Sequence, residues 1–377
     1  MLRSGCTFNG ECVILVGDMN REMELYTDYL ISSFGPVTAT GLSDLLGNGI
    51  SHDKITRTLR SHANDSRALW HEVKPLVREH ESPDACLIFD DTLIAKPHTD
   101  ENELVCWHWD HSKNRNEKGI NVVTAFYHTR DATQTQDLRV PVAFECVRKN
   151  VLFTDPATGK QKRRSGTTKN EMMRSMLLRA VQEQRLVFRH VLADSWFCSS
   201  DNMLFIHKLG KHFVMDMKSN RLCMFSTQDR NRGRWTNLEA LALEPEIPAK
   251  VWVKDLATEV AVCKLVFKNK DGSSGKMYLV SNDAELSAKG FKTLYKKRWG
   301  VEEYHKSLKQ SASAAKSPTR TPATQTTHLF AALPAYVKLE RMKFVHNLNH
   351  FALRGKIYIA ALKLAWQQLG ELIHKTA

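Results

Sequence analysis

The run Ala85-Cys86-Leu87-Ile88-Phe89-Asp90-Asp91-Thr92 decides the fold class. Ala85 to Phe89 is short, wholly apolar and β-prone, and it stops at two aspartates. The same pattern returns downstream, where Leu186 to Leu192 reads as a strand that runs into Asp194. Between the two, Gly119 to His128 and Val140 to Val147 read as further strands. Residues 167–185 have helical composition, with Met172, Met173, Met176, Leu177 and Val181 on one side. Three strands, a helix and another strand make an α/β core. Ligands and chemistry collect at strand ends in open α/β sheets, which makes Asp90, Asp91 and Asp194 candidates. Aspartate also ends strands as an ordinary turn residue, so none of the three stands alone.

A partner for them lies at Tyr295-Lys-Lys-Arg298-Trp-Gly-Val-Glu302-Glu-Tyr-His-Lys-Ser-Leu-Lys309. The segment Lys292 to Lys309 predicts one helix. At about 100° per residue, Arg298, Glu302 and Lys309 share with Tyr295 a stripe roughly 60° wide. Leu294, Val301 and Leu308 line up beside it, so the stripe borders the buried face. A carboxylate there can reach a metal in a cleft, and the flanking cations can grip phosphates. A solvated helix with an Arg298–Glu302 pair accounts for part of the charge. It does not account for Tyr295 and Lys309 on the same stripe, or for the aspartates upstream.

The spacing Tyr-x2-Arg-x3-Glu-x6-Lys resembles the signature of the insertion-sequence-four group of DDE transposases, and Tyr295, Arg298, Glu302 and Lys309 meet it in full. Phe89-Asp-Asp-Thr92 resembles the group's first acidic motif, and Leu192-Ala-Asp-Ser-Trp-Phe197 its second. The resemblance implies an RNase H-like catalytic core in which Asp91, Asp194 and Glu302 hold two Mg²⁺ ions, with Mn²⁺ able to substitute. Hard oxygen ligands suit either ion. The family's first catalytic Asp directly precedes Thr or Ser, which selects Asp91. Asp90 would point the opposite way in an extended strand. The implied activity is cut-and-paste transposition: hydrolysis and strand transfer of double-stranded DNA at terminal inverted repeats and target, through a hairpin, by a homodimer assembled on DNA. Tyr295, Arg298 and Lys309 would hold phosphates near the scissile bond. In hairpin-forming relatives an aromatic of the inserted β-module stacks on a flipped base. Trp235 and Trp252 are the candidates here, beside their plainer reading as core residues. The implied setting is a prokaryotic cytoplasm, associated with the nucleoid.

Working outward, residues 1–80 read as a helical N-terminal DNA-binding region, with residues 1–20 a loose leader. Leu42, Leu45 and Leu46 fit one helix, Gly47-Asn48-Gly49 breaks it, and Ser51 can cap a second helix carrying Ile55 and Leu59. This outlines a helix-turn-helix over residues 40–60, with Lys54, Arg57 and Arg60 outward. An ordinary helical hairpin has the same outline. The catalytic core is expected over 81–200 and 289–327, interrupted by a β-rich module at 201–288. A helical region follows at 328–377. Lys160, Lys162, Arg163 and Arg164 form a basic cluster, expected on a loop along DNA.

The bulk composition agrees with such a partner. Lys and Arg number 54 against 41 Asp and Glu, giving +13 over 377 residues, and such an excess favours a polyanion. None of the eight Cys forms a C-x-x-C pair, which argues against a zinc knuckle. Cys106-Trp-His-Trp-Asp-His111 lacks ordinary zinc spacing and reads as strand packing. No apolar run is long enough for a membrane span. Two other readings share these features: an inactivated or domesticated DNA-binding protein, and an RNase H-like nuclease without strand transfer.

Overall fold

The computed structural model describes residues 7–8, 11–12, 19–60, 65–111, 113–130, 137–269, 271–346 and 348–376. The leader expected over residues 1–20 lies largely outside them. A short hairpin, β1 (Thr7–Phe8) and β2 (Glu11–Cys12), precedes four helices. These are α1 (Arg21–Ser32), α2 (Ala39–Leu45), α3 (His52–Arg60) and α4 (Ser66–Glu79). Gly47 and Asn48 both take positive φ between α2 and α3, a conformation that Gly and Asn tolerate best. Ser51 Oγ accepts from Lys54 N at 3.3 Å at the start of α3.

Strands β3 (Cys86–Ala95), β4 (Cys106–Asp110), β5 (Arg115–Thr129) and β6 (Leu138–Cys146) follow. Strands β7 (Val151–Thr154) and β8 (Gln161–Arg164) then pair as a separate hairpin. Lys162, Arg163 and Arg164 thus sit on a strand and not on the loop expected for them. Helix α5 (Lys169–Gln182) opens with a capping box between Thr168 and Glu171. Next come β9 (His190–Ala193), α6 (Ser200–Lys208) and β10 (His212–Asp216). Strands β3, β9 and β10 run parallel and adjacent. Strand β5 is antiparallel to β3, and β4 and β6 both pair antiparallel with β5.

The segment expected to be a β-rich module at 201–288 joins this sheet instead of standing apart. Its first part is α6 and β10. The remainder comprises β11 (Leu222–Met224), α7 (Thr227–Asn231), β12 (Thr236–Asn237), β13 (Ala249–Val253), β14 (Val260–Lys268) and β15 (Ser274–Ser281). Strand β15 pairs antiparallel with β10, and β14, β13, β11 and β12 continue outward in that order. The pairing covers the free edge that β10 would otherwise present.

The chain closes with α8 (Ala288–Arg298), α9 (Gly300–Gln310), α10 (Pro322–His346) and α11 (His350–Thr376). The single helix expected over Lys292–Lys309 is thus two. Trp299 N donates to Lys296 O, and Glu302 N to Trp299 O, each at 3.2 Å. These three-residue bonds tighten the turn at Trp299, which ends α8 just before α9 begins. Successive residues of β3 face opposite sides of the sheet. Arg298 of α8 meets Asp90 on one side, and Lys169 of α5 meets Asp91 on the other. Both faces are therefore covered, which explains why Leu87, Ile88 and Phe89 are all fully buried. Among the described residues no helix is long and apolar enough to cross a membrane.

Gly119 sits where β3, β4 and β5 meet, in register with both Ala95 and Cys106. A Cβ there would lie 2.3 Å from Ile94 O, a backbone atom that cannot swing away. Gly119→Ala is expected to cost about 2 kcal/mol, seen as a lower denaturant midpoint at unchanged slope. A midpoint equal to wild type would show that the sheet yields there.

Candidate active site

The parallel register carries the site. Phe89 is level with Ala193, and Ala193 with Met215. One residue on, Asp90 within β3, Asp194 just past the end of β9 and Asp216 at the end of β10 stand side by side. Arg298 reaches this row from α8. Its guanidinium donates to Asp90 Oδ2 at 3.3 Å and, through Nε, to Tyr295 Oη at 3.3 Å. Asp90 and Arg298 are both largely buried. Burial, followed by the negative charge of Asp194, pushes the Asp90 carboxyl up to about 7 against the opposing pull of Arg298. Burial also raises Asp194, with Arg298 opposing, and raises Asp216, with Asp194 adding to it. Burial pushes the Tyr295 hydroxyl up to about 12.

Asp91 lies on the other face. Its Oδ2 accepts from Asn121 Nδ2 and from Lys169 Nζ, both at 2.7 Å. Asp194 is held differently again, since its Oδ1 accepts from Trp196 N at 3.0 Å in the turn after β9. Of the three acids expected to act together, Asp194 thus neighbours Asp90 in register. Asp91 is turned toward α5, and Glu302 is exposed in the first turn of α9. Lys309 is half-buried at the far end of α9, where burial lowers its pKa and Asp110 opposes the shift.

The remaining candidates are dispersed. Lys54 pairs with Glu22 at 2.5 Å, while Arg57 is exposed on α3. Lys160 is exposed beside β8, Lys162 pairs with Asp155, and Arg164 lies over the Phe153 ring. Trp235 is half-buried, and Trp252 lies under the Arg230 guanidinium, 4.1 Å from the ring centroid.

Sequence reasoning passed over Asp216, Lys169 and Asn121. Asp216 carried the same signal as Asp194, an apolar strand running into aspartate. Lys169 was marked only by the Thr168-x-x-Glu171 cap that starts its helix, and Asn121 by nothing local. Against the four carboxylates of Asp90, Asp91, Asp194 and Asp216, Lys169 pairs with Asp91 and the single charge of Arg298 acts on the other three. That excess of buried negative charge is what a divalent cation relieves, and an all-oxygen donor set suits Mg²⁺ or Mn²⁺. Among the described residues no three His, Cys, Asp or Glu side chains are already drawn into a ligand set.

A family model described as DDE superfamily endonuclease matches residues 14–262, well over half of the chain. No curated protein matches. Among solved structures, the chain is similar to one titled Drosophila P element transposase strand transfer complex, at 14% identity and a TM-score of 0.24. That likeness covers 51% of this chain and 37% of the other. The family match takes in Asp90, Asp91, Asp194 and Asp216 and stops before Glu302. It implies an RNase H-like fold, and the chain belongs to the DDE superfamily endonuclease family.

Proposed function

We propose that the chain is a transposase that cuts double-stranded DNA at the ends of a mobile element and joins the freed 3′ ends to a target. The observation that carries this reading is the row of Asp90 and Asp194 on adjacent parallel strands, with Arg298 of the Tyr-Arg-Glu-Lys stripe donating to Asp90. This reading takes Asp90 as the first acid, where the resemblance selects Asp91, because Arg298 of the stripe donates to Asp90. Asp90 and Asp194 would hold two Mg²⁺ or Mn²⁺ ions, with Glu302 brought in from α9. Metal bound there would supply an activated oxygen nucleophile and stabilise the leaving oxygen.

The other residues bind and orient. Arg298 offsets the charge of Asp90 and, with Tyr295 and Lys309, presents donors to the phosphates on either side of the cut. Lys169 and Asn121 fix Asp91, and through it the middle of β3. The basic hairpin at Lys160, Lys162, Arg163 and Arg164 follows the DNA backbone, and Arg57 with Lys54 reads a terminal repeat. A hairpin intermediate with Trp235 against a flipped base, a dimer on DNA and a nucleoid-associated setting belong to the same reading. Exposed Tyr358, Ile359, Leu362 and Trp366 on α11 give a second subunit an apolar face. A plain nuclease is the second reading, because the description of the matching family, DDE superfamily endonuclease, names cutting and not joining.

Cleavage and joining of DNA bearing the element's own ends, with Mg²⁺ or Mn²⁺ and with chelator, test the reading. Asp90→Asn is expected to abolish cutting, and Asp91→Asn to keep it within about tenfold of wild type. The reverse order would return the first position to Asp91. Cutting without joining would select the nuclease.

A further inference from the structure

We infer that Trp109, His111 and Trp196 form a stacking platform for unpaired bases of DNA, set beside Asp194 and on the side of the sheet where Lys169 holds Asp91. The inference rests on the proposed function and names the form of DNA that the site takes. Trp107 and Trp109 lie two apart on β4, with buried His108 between them, and so share its outward side. They are 51% and 50% exposed, and Trp196 is 49% exposed. Trp109 and His111 meet with ring centroids 6.5 Å apart, and His111 and Trp196 at 6.2 Å. The β4–β5 hairpin thus reaches across to the turn after β9. Trp196 stands two residues past Asp194 and donates its backbone N–H to that carboxylate.

The cations decide the occupant. Lys169 Nζ lies 5.3 Å from the Trp196 ring centroid while it holds Asp91, and Lys118 Nζ lies 5.9 Å from the Trp107 ring. An apolar protein surface seated on these rings would strip water from both ammonium groups, at a cost that apolar contact does not return. Paired duplex DNA offers phosphates to the lysines but keeps its base faces inside the stack. An unpaired strand offers both phosphates and flat π-faces, the combination that aromatic side chains interleaved with cations bind. The platform therefore takes the strand that has left the helix next to the bond being cut.

The test is binding by the full chain, in chelator, of a labelled blunt duplex and of the same duplex with a short single-stranded tail, followed by fluorescence anisotropy. Wild type is expected to bind the tailed DNA about tenfold or more tightly. The double variant Trp109→Ala, Trp196→Ala should lose that preference and keep its affinity for the blunt duplex. Trp196→Phe should retain the preference and Trp196→Leu should lose it, which separates stacking from bulk if the alanine variant folds poorly. Equal binding of both DNAs by wild type overturns the inference. So does a tail preference that survives the double variant, or a parallel loss on both DNAs. Cutting is absent from the readout, so a failure of the catalytic reading shows separately, in the cleavage assay.

Discussion

Asp194→Asn is expected to lower DNA cleavage by about a thousandfold or more, the several kcal/mol that a metal-held transition state contributes, while DNA affinity and thermal stability stay near wild type. The separation follows from the two tasks of the side chain. One oxygen accepts from Trp196 N and shapes the turn after β9, and an asparagine Oδ1 does this equally well. The negative charge lies in the row between Asp90 and Asp216, and asparagine lacks it. The substitution therefore removes the charge that the proposed metal site needs without removing the turn. Cleavage in Mg²⁺ or Mn²⁺ measures the first property, and gel-shift affinity with a melting curve measures the second. Cutting within tenfold of wild type would remove Asp194 from the active centre. A collapse of stability in step with activity would mean that its role is the turn.

The same geometry shows what was legible in the sequence. An apolar run that meets an aspartate is a local signal, so β3 and β9 stood out, although β3 continues through its aspartates to Ala95. Their parallel register is not local, and the register is what sets Asp90 beside Asp194 and turns Asp91 toward Lys169. Which sheet face each of the adjacent aspartates meets, Asp90 toward Arg298 and Asp91 toward Lys169, is set by the packing of α8 and α5, and no spacing within Phe89-Asp-Asp-Thr92 contains that. The Tyr295 to Lys309 stripe was read on a straight helix. The helix boundary at Trp299 divides it, so Arg298, with Tyr295 beside it, meets Asp90 from α8 while Glu302 and Lys309 belong to α9. The β-rich segment was visible as strands, but its docking on β10 was not, because edge pairing leaves no mark on alternation.

The second large effect is expected far from the carboxylates. Glu340 on α10 is 1% exposed. Its Oε1 accepts from Arg139 N at 3.0 Å and from Lys343 Nζ at 2.5 Å. Its Oε2 accepts from Tyr336 Oη at 3.2 Å and lies 2.8 Å from His350 Nε2. One carboxylate thus joins β6, α10 and α11. Burial works against its charge, but the contacts from His350 and Lys343 outweigh burial and hold its pKa below the ordinary value. Glu340→Gln keeps the shape and leaves the cationic side chain of Lys343 nearly buried without a counter-charge, so a loss of about 3 kcal/mol is expected. A folded-state pKa below the unfolded one means that this contribution is fully present above the unfolded carboxylate pKa, near 4.3. It is lost as pH falls through the folded value. Denaturant unfolding of both proteins should therefore give a constant gap between pH 6 and 8 that closes in acid, and a gap that widens in acid would contradict the assignment. The effect should also reach the active centre. The Arg139 guanidinium pairs with Glu303, next to Glu302, and lies 3.0 Å from where a Cβ on Gly300 would stand. Loosening Glu340 loosens the strand end that seats α9. If Glu302 completes the metal site, Glu340→Gln should therefore cut more slowly even at temperatures where it remains folded.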